Sequence, residues 1–135
     1  MELKNSIVLV AGAAGMIGSE FTKSLLDHGA ICILVDNDKN KINQLKKKLR
    51  KYDATRYIFR KVNIINEKQV ISLKNYLKKE FQRLDGLVNL VANDPKVIGK
   101  KNKFKKFEDT DLNNFQKDLQ IGLTGMMLVN KHLIH

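Results

Sequence analysis

The stretch Val8-Leu9-Val10-Ala11-Gly12-Ala13-Ala14-Gly15-Met16-Ile17-Gly18 limits the folds open to this chain more than any other. An apolar run of strand length breaks into three glycines spaced three apart. The apolar pattern then resumes at helical spacing through Ile17, Phe21, Leu25 and Leu26, with Gly29 as a stop. A strand that hands a glycine turn to a helix start gathers backbone N–H groups and the positive end of a helix dipole at one point, which suits a pyrophosphate. By position, Gly12 allows the tight turn, Gly15 the close approach of backbone to phosphate, and Gly18 the packing of helix on strand. Met16 and Ile17, which open the helix, join them as candidate cofactor-binding positions.

Downstream, strand and helix patterns alternate. Ile31 to Val35 reads as a second buried strand, ending in Asp36-Asn37-Asp38. Asp36 lies 24 residues after Gly12, where a carboxylate accepts hydrogen bonds from the adenosine ribose hydroxyls and repels the extra phosphate of NADP. NAD is therefore favoured over NADP, although Lys39 and Lys41 are near enough to soften the repulsion. The competing reading is that Asp36 only turns the chain. Ile42, Leu45 and Leu49 mark a helix to about Tyr52, and Arg56 to Val62 a third strand with Asn63 just past its end. Asn66-Glu67-Lys68-Gln69 resembles a capping box ahead of a helix with Val70, Leu73, Leu77 and Phe81 on its buried stripe. Gly86 to Val91 is the fourth strand. This alternation gives an α/β fold, a Rossmann-like three-layer parallel sheet of strand order 3-2-1-4, incomplete at its C-terminal side. A long basic loop is expected over 92–111, at the sheet edge where ligands bind, and a terminal helix over 112–135. Its apolar positions are Phe115, Leu119, Leu123, Met126 or Met127, and Leu133 or Ile134.

At 135 residues the chain is long enough for one core, so 1–135 reads as a single, partial dinucleotide-binding domain. No apolar run is long enough to span a bilayer, and Met1-Glu2-Leu3-Lys4-Asn5 is too short and polar for a signal peptide, so a cytoplasmic location is expected. Cys32 stands alone inside an apolar strand and is expected to be buried and inert. The formal charge of +11 invites nucleic acid, with lysine clusters over Lys41–Lys51 and Lys96–Lys106. Yet 21 of the 25 basic residues are Lys and Arg is scarce, and the first cluster lies on a helix with an apolar opposite face, so a solvated surface is the favoured reading. His28, His132 and His135 lack nearby carboxylate or Cys ligands at metal-site spacing, and no metal is expected.

On these residues the chain resembles the N-terminal part of a short-chain dehydrogenase/reductase. Val8 to Gly18 is similar to that family's first strand and turn, with Ala11-Gly12 in place of Thr-Gly. Asn63 stands where the family has an Asp touching adenine, and Ile64 follows it. Asp85-Gly86-Leu87-Val88-Asn89-Leu90-Val91-Ala92 resembles the fourth-strand segment that ends Asn-Asn-Ala-Gly: Asn89 matches the first Asn, while Leu90, Val91 and Ala92 depart. Leu119-Gln120-Ile121-Gly122-Leu123-Thr124-Gly125 resembles the central helix, with Gly122 where many members carry a proton-relay Asn. The resemblance implies Gly12, Gly15, Met16, Ile17, Gly18, Asp36, Asn63, Ile64 and Asn89 as the cofactor-binding set. A narrower resemblance is to oxidoreductases of bacterial surface-polysaccharide or flagellin glycan synthesis, which implies a sugar or nucleotide-sugar substrate.

The resemblance also implies that the catalytic Ser and the Tyr-x-x-x-Lys pair lie beyond this sequence. Tyr57 and Lys61 have the spacing, but four residues of strand span about 13 Å, too far for the lysine to reach the phenol. No catalytic residue is assigned. Two readings stand: the NAD(P)-binding portion of an oxidoreductase that moves a hydride to or from a carbonyl or alcohol carbon, or a non-catalytic dinucleotide-binding or interaction module. With the fourth strand an open edge and the last helix short of partners, the chain is expected to form homo-oligomers through that helix.

Overall fold

The computed structural model describes residues 3–93, 107–109 and 111–134. Most of the basic loop expected over 92–111, its Lys96–Lys106 cluster and His135 lie outside the described residues. Four parallel strands, β1 (Ile7–Ala11), β2 (Ile31–Asp36), β3 (Tyr57–Lys61) and β4 (Gly86–Asn89), form one sheet in the order β3-β2-β1-β4. This is the Rossmann-like parallel arrangement that the alternating pattern implies.

The two central strands show why their sequences are continuously apolar. Successive side chains point to opposite faces, and both faces are covered. Ile7, Leu9, Ala11, Ile33 and Val35 pack against Leu73 and Leu77 of α3 (Glu67–Glu80) and Val129 and Leu133 of α5 (Gly125–Leu133). Val8, Val10, Cys32 and Leu34 pack against Leu25 and Leu26 of α1 (Met16–Asp27) and Leu45 and Leu49 at α2 (Lys39–Lys48). Each fully buried aliphatic side chain here contributes about 1.5–3 kcal/mol from its removal from water.

Several boundaries differ from the sequence expectation, for local reasons. The second helix stops at Lys48, not Tyr52, because Leu49 drops into the core and the chain turns there, with the Tyr52 N–H bonded to the Leu49 carbonyl at 3.0 Å. The fourth strand ends at Asn89, not Val91: its partner β1 ends at Ala11, where the glycine turn begins. The capping box is rerouted. Asn66 Oδ1 accepts from the Gln69 N–H at 3.2 Å, but Gln69 Oε1 accepts from the Asn63 N–H at 2.7 Å instead of from the cap residue.

The terminal helix is corrected most. It is α4 (Leu112–Leu119), a π-helical turn over Gln120–Thr124, then α5. Only the last part reaches the core, through Gly125, Leu128, Val129 and Leu133, while Phe115, Leu119 and Leu123 are exposed. Gly125 sits so close to Ile64 that a Cβ there would come within 2.7 Å of the Ile64 Cδ1. On α1, Ile17 and Phe21 are likewise exposed, and Gly18, Ser19, Thr22, Leu25 and Leu26 form the buried face.

Cys32 is fully buried on β2, and desolvation pushes its thiol up to about 12. A thiol-specific reagent at pH 8 is expected to leave Cys32 unmodified in the native protein and to modify it rapidly in urea. Stoichiometric labelling of the folded chain would show this packing to be wrong.

Candidate functional site

At the C-terminal ends of β1, β2, β3 and β4 the sheet opens into a cleft of about 490 Å³. Gly12, Gly15, Asp36, Asn63 and Ile64 all line it. The turn that builds one wall is held by backbone contacts. Gly12 has φ +79°, and a Cβ there would come within 2.8 Å of the Leu90 backbone, so only glycine fits on both counts. The N–H groups of Gly12 and Ala13 both donate to the Val35 carbonyl, at 2.8 and 3.1 Å, and the Gly15 N–H donates to the Gly12 carbonyl at 3.1 Å.

Gly18 does not line the cleft; it stands behind it. A Cβ at Gly18 would press into the Gly12 carbonyl and lie 2.9 Å from the Ala13 Cα, so the first turn of α1 rests directly on the glycine turn. Gly15 is less crowded: a Cβ there would meet only the Gly12 carbonyl oxygen, at 3.3 Å, with ordinary φ. The side chains of Met16 and Ile17 face outward with Phe21, away from the cleft.

The start of α1 differs from the other helix starts. Asp38, Asn66 and Asp111 cap α2, α3 and α4 with side-chain oxygens, whereas Gly15 offers none. Among the described residues the N–H groups of Met16, Ile17 and Gly18 have no protein acceptor. Helix starts without a cap leave such donors to solvent or an anion.

Asp36 is already engaged. Its Oδ2 accepts from the Ala14 N–H and its Oδ1 from the Asp38 N–H, both at 3.0 Å. It therefore does turn the chain, and it also clamps the glycine turn to the end of β2; remaining lone pairs on both oxygens are free to accept further bonds. Asn63 Oδ1 accepts from the Ile65 N–H at 3.3 Å. Asn89 lies below the cleft: its Oδ1 accepts weakly from the Val91 N–H at 3.4 Å, and its Nδ2 is buried without a partner.

Lys41, read from the sequence as near enough to soften the charge of Asp36, lines the cleft beside it. Sequence reasoning missed two contributors. Ile121 closes the cleft from the π-helical turn. Asn93 lines it too, and its Nδ2 donates to Asp118 Oδ1 at 2.5 Å, tying the end of β4 to α4. A polar residue just beyond a strand end was the signal for Asn93; Ile121 had none, since its position depends on the π-turn. No three His, Cys, Asp or Glu side chains converge as a metal site among the described residues. Nor is any described helix long and apolar enough to cross a membrane.

A glycine turn that leads from β1 into an uncapped helix start, with an acid at the end of the neighbouring parallel strand, defines a Rossmann-type α/β domain. The short chain dehydrogenase family model matches residues 6–135, and the chain belongs to that family. It is 30% identical over 123 residues to a short-chain dehydrogenase/reductase, aba4, of Botryotinia fuckeliana, covering 91% of this chain and 46% of that protein. To the post-translational flagellin modification protein A of Campylobacter coli it is 24% identical over 132 residues, covering 98% and 50%. The chain thus spans about half the length of the curated relatives it matches. Among solved structures, ElxO with NADP bound superposes with a TM-score of 0.80 at 20% identity, covering 95% of this chain and 48% of that one. A protein assigned as a D-mannonate oxidoreductase from Haemophilus influenza, with bound NAD, gives 0.79 at 20% identity, covering 98% and 50%.

The two glycines separate fold from site. Gly18→Ala is expected to cost about 1–3 kcal/mol in urea unfolding, because backbone must move to admit the methyl. Gly15→Ala is expected to stay within about 1 kcal/mol of the wild type. Equal losses would show that the close contact at Gly18 is misplaced.

Proposed function

We propose that this chain is the dinucleotide-binding portion of a short-chain dehydrogenase/reductase, with NAD favoured over NADP. The observation that carries the reading is the convergence of Gly12 and Gly15 at the uncapped start of α1, the Asp36 carboxylate and the Asn63 amide around one cleft. In this arrangement the α1 N-terminus holds the pyrophosphate, with Gly15 allowing its close approach. Asp36 accepts from the adenosine ribose hydroxyls, and Asn63 with Ile64 borders the adenine. The orphaned Asn89 Nδ2 supports the β4 side of the same cleft. When bound, the nicotinamide supplies a hydride acceptor or donor; the residues of this chain bind and orient it. A sugar as the substrate class is supported by one relative, an L-fucose dehydrogenase of Oryctolagus cuniculus, 27% identical over 119 residues.

For the 135-residue chain itself we infer binding without turnover. Of its tyrosines, 52, 57 and 76, only Tyr57 has a lysine four residues on, and that pair lies on β3. A cofactor-dependent oxidation or reduction of a carbonyl or sugar alcohol by this chain alone would overturn that inference.

Cofactor choice is tested by titrating NAD and NADP into wild type and Asp36→Ala. Wild type is expected to bind NAD more tightly. The variant is expected to lose about tenfold in NAD affinity, from lost charged hydrogen bonds, and to gain relative affinity for NADP, whose phosphate Lys41 can meet. A preference unchanged by the substitution would remove Asp36 from this role.

The exposed Phe115, Leu119 and Leu123 on the terminal helix support a homo-oligomer through that surface. Size-exclusion chromatography is expected to show concentration-dependent association that Leu123→Asp abolishes. Monomer at every concentration would rule this surface out.

A further inference from the structure

A second cleft, of about 610 Å³, lies beside the first, between β3 and the exposed flank of α3. The two share Asn37, Val62 and Asn63 as a common wall, but the second opens on the far side of β3 from the glycine turn. Its polar lining has a single character. Arg60 and Lys61 supply two cations, Asn37, Gln69 and Ser72 supply donors, and no carboxylate lines it.

The hydrogen bonds within the wall sharpen this character. Gln69 Oε1 accepts from the Asn63 N–H and Asn63 Oδ1 from the Ile65 N–H, so one lone pair of each oxygen is taken up within the wall, while both NH2 groups are unused among the described residues. Arg60 is held flat against the Tyr76 ring, its guanidinium carbon 3.6 Å from the ring centroid. Stacking fixes the guanidinium plane and directs its N–H groups sideways, where a ring face offers them no lone pair. Its Nε is buried with no hydrogen-bond partner, and among the described residues Arg60 has no ion pair. Arg60 is half-buried: its Nε is sequestered, while the donors of its terminal nitrogens have no acceptor among the described residues and are open to an anion.

We propose that this cleft is a second anion site, separate from the dinucleotide cleft, for a small ligand carrying two or more phosphoryl groups. Arg60 provides the in-plane fork for one phosphoryl group, and Lys61, whose side chain leaves the other face of β3 at its exposed end, adds positive charge at the rim. Gln69 and Ser72 donate from α3 to the remaining oxygens. Its volume exceeds the needs of a single phosphate, which is why the ligand is read as a polyphosphate or a multiply phosphorylated small molecule.

The test is an amide-resolved NMR titration of the full chain with inorganic tripolyphosphate at 150 mM salt, about physiological ionic strength. Saturable shifts are expected at Arg60, Gln69 and Ser72. Arg60→Met, which keeps an apolar stem on Tyr76, is expected to weaken them about tenfold or more. Lys61→Met, at an exposed strand end, is expected to weaken them less. The spectrum of each variant without ligand reports whether it is folded, and Lys61→Met serves if Arg60→Met is not. Shifts confined to Gly15, Met16, Ile17 and Gly18 would overturn the second site and leave the dinucleotide reading standing. Saturation at Arg60 in a chain that fails to bind NAD would do the reverse. Shifts that do not saturate, or that survive both substitutions unchanged, would also overturn the proposal.

Discussion

Gly12 sits where three stretches of backbone meet, and each occupies space that a side chain would claim. The Leu90 backbone fills the position of its missing Cβ, Gly18 closes on its carbonyl, and Val35 takes its N–H. This one residue therefore joins β1 to β2, to the end of β4 and to the start of α1. Its left-handed conformation sends the chain across the strand ends instead of onward, so that α1 begins at the edge of the sheet where β2 and β3 also end. The cleft follows from that crossing.

The same crowding explains the division of labour along the turn. Gly12 and Gly18 are demanded by packing whether or not a ligand binds. Gly15 has more room, so its lack of a side chain matters chiefly to whatever approaches from outside. Asp36 combines both kinds of role: it holds the Ala14 N–H while facing the cleft, so the glycine loop and the acid at the end of β2 are mechanically one unit.

How much of this could be read in the sequence varies with how local its causes are. The strand order and the buried faces of β1 and β2 follow from alternating apolar runs, and the glycine turn from three residues. The placement of Asp36 beside Gly15 follows from parallel strand register. What sequence could not show depends on tertiary contacts. The apolar positions Phe115, Leu119 and Leu123 have the helical spacing of a core stripe, yet the core begins only at Gly125, because Ile64 sets where the helix can approach the sheet. The Gln69 side chain obeys the capping motif in identity but not in partner, because the Asn63 N–H lies within its reach. Arg60 looked like one of several basic residues on an edge strand; only Tyr76, from a different element, gives its guanidinium a fixed plane.

The π-helical turn at Gln120–Thr124 carries a consequence for how this helix tolerates change in length. A π-turn holds more residues than an α-turn, so everything after it is rotated relative to a straight α-helix. That rotation brings Leu128, Val129 and Leu133 onto the sheet while leaving α4 to follow a different line. Removing a single residue at Gly122, where a Cβ would meet no neighbour within 4 Å, would let the segment relax to regular α-helix. Because the π-turn holds about one residue more than the α-turn that would replace it, the residues beyond would keep their phase and Val129 its place on the core; the change would fall on the turn itself, where Ile121 lines the cleft. The turn thus acts as a phase adjuster between two halves of one helix, and its length is as much a part of the site as any side chain in it.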